Sequence, residues 1–274
     1  MGLQLLELAK GFSCYVSNGM ESEHVSKDIS SGEHEANNVY KEIFVEGCYD
    51  KPDLPGPAPF IVDVGAHVGM FDLFMKKKYP KAKIAAFEPA PETFNALHRN
   101  LELHNISGVV TYPFGLGLEE ATATLSYYPI AHANTTFSPK EKEPMKKLLR
   151  ELKGEEFTED AFRSIQIPVP VNRLSHFLEY YHPDVSKIDL LKVDVEGTEL
   201  EVIGGLDDKH WEMVQNVVME VSDVHGALSK IESLLKSKGF VVICEPQDDM
   251  AGAELKMNLI RAHREGIPPN GTSA

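Results

Sequence analysis

The sequence predicts an α/β fold, a seven-stranded and mostly parallel sheet with helices on both faces, and three observations carry that prediction. Short β-rich apolar runs alternate with amphipathic stretches from Phe60 onward, the pattern of strands wound with helices. A glycine-rich turn, with Gly65 and Gly69 four residues apart, follows the first of those runs directly. One connection, residues 115–187, is far longer than the roughly 2 to 6 residues usual between a strand and a helix, and it leaves from the sheet edge where ligands bind in open α/β folds.

Taken in order, "FIVDV" (Phe60 to Val64) is apolar but for one acid and reads as a buried first strand, with Val68 to Tyr79 as the helix after it. "KIAAFEP" is a second strand, stopped by Pro89, and "PETFNALHRNLELHN" sets Phe94, Leu97 and Leu101 on one helical face. "GVVTYPF" is the third strand and "KIDLLKVDV" the fourth, followed by "ELEVIGGL", a short helix ended by Gly204 and Gly205. "VQNVVMEV" is the fifth strand, "GALSKIESLLKSKGF" a helix closed by Gly239, "GFVVICEP" the sixth strand and "AELKMNLIRAHR" the seventh.

Two segments break this rhythm. Residues 1–58 open with a helix-like apolar run, cross the polar "SEHVSKDISSGEHEANN" and end in the turn-rich "KPDLPGPAP", so they read as an N-terminal lid on a main domain spanning 59–274. Within that domain the insertion 115–187 offers a strand pair in "ATATLSYYP" and "IQIPVPV" and a charged helix in "PKEKEPMKKLLRELKGEEF". It is a candidate substrate wall. Tyr127, Tyr128, Phe137 and Phe157 supply either apolar surface for a ligand or the insertion's own core.

Composition narrows the function. Hydrophobic residues make up 42% and charged residues 25% of the 274, ordinary for a globular protein. Twenty-seven basic against 42 acidic residues leave a net charge of -15, which opposes binding to nucleic acid or an anionic membrane. Cys14, Cys48 and Cys244 are too widely spaced for a zinc knuckle or a disulfide framework. With no 18-residue apolar segment and no leader-like start, the expected location is cytoplasmic and the expected partner a small molecule. Oligomeric state leaves no mark in the sequence.

The glycine turn then poses a chemical question. A dinucleotide site needs GxGxxG so that backbone amides approach a pyrophosphate, but here the spacing is GxxxG and Asp63 stands two residues before it. A carboxylate there repels phosphate and suits a cationic ligand, unless Asp63 only caps the turn. S-adenosyl-L-methionine, with its sulfonium and ammonium and no phosphate, has that character. Glu88 ends the second strand 25 residues later, close to the roughly 20-residue interval at which an acid meets ribose hydroxyls. A carboxylate accepts two such hydrogen bonds at once.

The fourth strand delivers "LLKVDVEGTELEVIGGL", and here the chain resembles the FkbM family of S-adenosyl-L-methionine-dependent methyltransferases. Lys192, Asp194, Glu196, Gly197 and Glu199 match the family's KxDxEGxE; "IVDVGAHVG" resembles its first motif, "FEP" its second, and "YKEIFVEGCY" its approach segment. The resemblance spans about Val39 to Arg261 and implies a class I methyltransferase Rossmann-like fold, standing closest to the O-methyltransferases of polyketide and related natural-product biosynthesis. It implies cofactor contacts from Asp63, Gly65, Ala66, His67, Gly69, Glu88, Pro89, Gly115, Leu116 and Asp194, and acceptor contacts from Glu42, Tyr49, Tyr128 and Asn134. His67 stands where the family usually has Asn. After the fifth strand the usual Glu-x-His is replaced by Glu220, Ser222 and then His225.

Methyl transfer to an oxygen needs alignment, exclusion of water and removal of a proton. The candidate bases are Glu196, Glu220, His132 and His225, the two acids ranked first. Each has a structural alternative: Glu196 as a brace for its loop, His225 as a helix cap, His132 as a packing residue. A magnesium ion on Asp194, Glu196 and Glu220 ranks below a metal-free reaction. N- or sugar-directed methylation and a nucleotide-binding protein without methyl transfer are the alternatives.

Overall fold

The computed structural model describes residues 2–19, 23–25, 27, 32–247 and 256–264. The N-terminal run forms β1 (Leu3–Ala9) and β2 (Phe12–Ser17), an antiparallel hairpin turning at Gly11, whose φ is 77°. This corrects the helix-like reading. A two-stranded hairpin is marginal alone, and packing decides the outcome. Asn100, on the helix Pro91–Leu103, donates from its amide to the carbonyls of Tyr15 (2.9 Å) and Val68 (2.8 Å) and accepts the Tyr15 N–H. The helix Glu33–Tyr40 follows and continues as a π-helix, Lys41–Glu46.

The remaining strands are β3 (Phe60–Val64), β4 (Lys83–Phe87), β5 (Val109–Tyr112), β6 (Gly115–Leu116), β7 (Ala121–Tyr127), β8 (Ile165–Asn172), β9 (Leu190–Val193), β10 (Asn216–Ser222), β11 (Phe240–Pro246) and β12 (Met257–Arg264). The main sheet has seven strands in the order β11-β12-β10-β9-β3-β4-β5, parallel throughout except β12, which runs against both of its neighbours. The last strand begins at Met257; the first three residues expected for it, 253–255, lie outside the described residues. In the long connection β7 and β8 pair antiparallel and β6 joins β8. Its charged stretch is a 3-10 turn (Pro139–Lys142) and two helices, Glu143–Lys153 and Glu155–Ala161, parted at Gly154.

Because strand side chains alternate between faces, the sheet carries two cores. Val62, Val64, Phe87, Leu191, Val193 and Met219 pack against Phe177, Val202 and Ile231 on one side. Ile61, Ala86, Leu190 and Val218 pack on the other against Phe71, Met75 and Leu97, and there the N-terminal segment adds Cys14, Ile43 and Tyr49. That parity places Asp63, Lys192 and Glu220 toward the N-terminal segment. No helix among the described residues is long and apolar enough to cross a membrane.

Candidate active site

The chain reverses direction across the sheet between β3 and β9: β4 and β5 extend one way from β3, β9 and β10 the other. Ligands bind outside the carboxyl ends of strands at such a switch point. The two chains emerging there touch. A Cβ on Gly65, whose φ is 83°, would lie 1.8 Å from the Asp194 carbonyl oxygen, so only glycine fits.

Register explains Asp63. It stands opposite Lys192 in the β3/β9 ladder, and Lys192 Nζ lies 3.1 Å from its carboxylate and 2.7 Å from the Gly65 carbonyl oxygen. Asp63 is fully buried and does not line the cavity, which corrects its assignment to a ligand. Burial pulls the Lys192 ammonium down, but Asp63 and Asp194 outweigh it and hold its pKa well above the usual value. Asp72 is buried alongside, and burial first and Asp63 second raise its pKa well above the carboxylate range. The acid at the turn balances a buried lysine.

The cavity opens above this pair. The turn after β3 contributes Gly65, Ala66 and His67; β4 contributes Phe87, Glu88 and Pro89; the β5 side contributes Phe114, Gly115 and Leu116; β9 and its loop contribute Lys192, Asp194 and Glu196; β10 contributes Glu220. The N-terminal segment adds Glu42 and Tyr49, and the long connection adds His132, Thr136 and Phe137. Glu88 accepts the His67 N–H (3.0 Å) on one oxygen and the Ala90 N–H (2.9 Å) on the other. Each oxygen keeps a lone pair for a further donor. Burial raises its pKa above the usual carboxylate value.

Two other carboxylates differ in their partners. Glu196, in left-handed backbone at φ 61°, pairs with Lys142 Nζ, and its carbonyl oxygen accepts the Thr136 hydroxyl at 2.7 Å. Burial raises its pKa while Lys142 draws it down, with a net rise. Glu220 makes no ion pair among the described residues. Its carboxylate accepts the Tyr49 hydroxyl at 2.5 Å. Burial, then Asp194, then Glu42 lift its pKa well above the carboxylate range, against the pull of the Tyr49 hydrogen bond and of the Lys192 charge.

The wall is tied together by a residue that sequence reasoning missed. Glu35, on the helix Glu33–Tyr40, has one oxygen 3.4 Å from His67 Nε2 and 3.4 Å from His132 Nδ1, and its other oxygen accepts the Ala133 N–H at 3.0 Å. Burial favours the neutral acid, but the hydrogen-bonded His132 and the nearby His67 imidazole prevail and hold Glu35 well below the carboxylate range.

Residues 63–242 match the Methyltransferase FkbM domain. The chain belongs to the FkbM methyltransferase family. It is 43% identical over 239 residues to Methyltransferase sdnD of Sordaria araneosa, covering 84% of this chain and 91% of that protein. It is 42% identical over 236 residues to Methyltransferase 1 of Beauveria bassiana, covering 82% and 89%. With the 31-O-demethyl-FK506 methyltransferase FkbM of Streptomyces tacrolimicus it shares 35% over 232 residues, covering 81% and 88%.

For this FkbM-family chain, most of the candidate catalytic, cofactor and acceptor residues converge on the cavity, but five do not. Besides Asp63, Gly69 sits behind it as the left-handed residue before the helix Met70–Lys78, with Leu97 filling the space of a side chain. Tyr128 is buried in a satellite core with Val25, Ile130, Ala161 and Phe162, and Phe157 packs there too. Asn134 closes a 3-10 turn with its backbone and does not line the cavity. His225 is 58% exposed and lies 3.6 Å from Glu141, outside the cavity. Lys142 was missed as well, since in sequence it is one lysine of a charged run. Among the described residues no group of His, Cys, Asp and Glu side chains is placed to hold a metal.

Proposed function

We propose that this protein transfers the methyl group of S-adenosyl-L-methionine to a hydroxyl of a small hydrophobic metabolite. The observation that carries the proposal is Glu220: a cavity-lining carboxylate with a raised pKa, oriented by a phenol and in no ion pair among the described residues. The residues fit the cofactor. Lys192 is the one lysine or arginine among the lining residues, and it is bound to Asp63, so no free lysine or arginine there meets a phosphate. Its carboxylates suit a ligand of positive charge, and the apolar Phe87, Phe114 and Leu116 suit a nucleobase.

S-adenosyl-L-methionine supplies an electrophilic methyl carbon. In this reading Glu88 holds the ribose hydroxyls with its free lone pairs, while Asp194 and the backbone of Gly65 to His67 hold the amino-acid end. Glu220 accepts the acceptor's hydroxyl proton as the oxygen gains the methyl group, and Tyr49 fixes the carboxylate for that step. Residues 1–58 act as a lid through Glu42 and Tyr49, the insertion 115–187 acts as the acceptor wall through His132, Thr136 and Phe137, and 59–274 form the methyltransferase domain. The named reaction of the FK506 relative, at an oxygen, supports an oxygen acceptor here.

The test incubates the protein with methyl-labelled S-adenosyl-L-methionine and a metabolite extract, then locates the label by NMR. A methoxy group on an apolar metabolite is expected. Label on nitrogen or on a free sugar overturns the acceptor assignment, and no transfer overturns the reaction.

A further inference from the structure

Glu35 joins three elements remote in sequence: the N-terminal helix that carries it, the turn after β3 through His67, and the long connection through His132 and Ala133. Its side chain is 18% exposed, and the two imidazoles it reaches both line the cavity. His67 extends the connection, because its backbone N–H is the donor to Glu88. The path from the N-terminal helix to the carboxylate at the end of β4 is therefore two links long. The middle link is costly. His67 has φ 50°, a left-handed conformation uncommon for residues other than glycine and easiest for asparagine and aspartate. The Glu35 contact is what the imidazole gains by staying there.

We propose that Glu35 is a positioning residue: by holding the His67 side chain it keeps the turn in the left-handed conformation that aims the backbone N–H at Glu88, and so couples closure of the N-terminal segment to cofactor binding. This rests on the cofactor reading above. It makes a specific demand. Asparagine tolerates left-handed backbone through its own local hydrogen bonds, so a His67→Asn protein holds the turn without help and no longer needs Glu35.

The test measures S-adenosyl-L-homocysteine affinity by calorimetry in the wild type, Glu35→Gln, His67→Asn and the double variant, with thermal denaturation confirming that each is folded. Glu35→Gln is expected to weaken binding about tenfold in the wild-type background and less than twofold beside His67→Asn. S-adenosyl-L-homocysteine is also expected to slow amide exchange across residues 33–46 in the wild type and not in Glu35→Gln. Should Glu35→Gln fail to fold, Glu35→Asp replaces it, with a weaker loss that His67→Asn again abolishes. An equal loss in both backgrounds, or no loss in a folded Glu35 variant, overturns the proposal and leaves the cofactor reading intact. A wild type that does not bind S-adenosyl-L-homocysteine overturns the cofactor reading itself.

Discussion

Asp63 and Glu220 stand on the same face of the sheet, two strands apart, near the carboxyl ends of β3 and β10. Asp63 lies 3.1 Å from a buried lysine and has no path to the cavity. Glu220 lines the cavity, takes a hydrogen bond from Tyr49, and forms no ion pair among the described residues. The same chemical group at nearly the same depth serves structure in one place and suits acid-base work in the other. What separates them is the residue across the ladder. Lys192 is the register neighbour of Asp63 on one side and of Val218 on the other, so it pairs with Asp63 and acts on Glu220 only as a more distant charge.

Removing that lysine is the strongest way to break the comparison. Lys192→Met leaves Asp63 buried without its cation, at an expected cost of about 3 to 5 kcal/mol in urea denaturation. Adding Asp63→Asn should recover much of that loss. If Lys192→Met is as stable as the wild type, Asp63 is not held as described. Glu199 sharpens the point as a buried acid with no ion pair among the described residues, its pKa pushed up to about 7 by burial while the Gly197 N–H draws it down. A folded pKa above the unfolded one means that the native state holds the proton more tightly. Its contribution is full below the ordinary carboxylate pKa of about 4.3 and is lost as pH rises through about 7, some 3 kcal/mol in all. Glu199→Gln should therefore gain on the wild type between pH 5 and pH 8, and a constant difference across that range would contradict the assignment.

The Lys142–Glu196 pair should respond less. Glu196 is 30% exposed and water screens it, so Lys142→Met is expected to cost about 1 to 2 kcal/mol, and calorimetric melting checks it. Smallest of all is His225→Ala, expected within about 0.5 kcal/mol of the wild type because the ring is mostly exposed. A large loss in stability or turnover there would bring the histidine back into the site.

Much of this was readable in advance. The succession of sheet strands, the glycine turn and the place of Glu88 at the cavity follow from alternation, spacing and the rule that ligands gather at strand ends. The role of Asp63 was not readable, because the lysine that captures it comes 129 residues later and only the ladder register brings the two together. "LQLLELA" misled because apolar residues at Leu3, Leu5 and Leu6 satisfy helical as well as strand spacing; pairing with β2, which Asn100 anchors at Tyr15, settles it. Glu35 and Lys142 lie in polar stretches, where a charge reads as solvated surface until the fold covers it. Tyr128 was drawn to the cavity by its neighbours, but its ring fills the core beneath the charged helix.

The central claim is that Glu220, and not Glu196, takes the acceptor's proton, and the pH dependence of single-turnover methyl transfer tests it most directly. In the wild type the rate should rise with pH along an acid limb set by Glu220, above the ordinary carboxylate range, since burial and the neighbouring Asp194 and Glu42 raise its pKa. Tyr49→Phe removes a hydrogen bond that favours the ionised form and should move that limb to higher pH. Glu220→Gln should abolish the limb and lower the rate by about 10² to 10⁴-fold with S-adenosyl-L-homocysteine affinity little changed. A Glu220→Gln protein that keeps the limb and the rate, while Glu196→Gln loses both, would contradict the account.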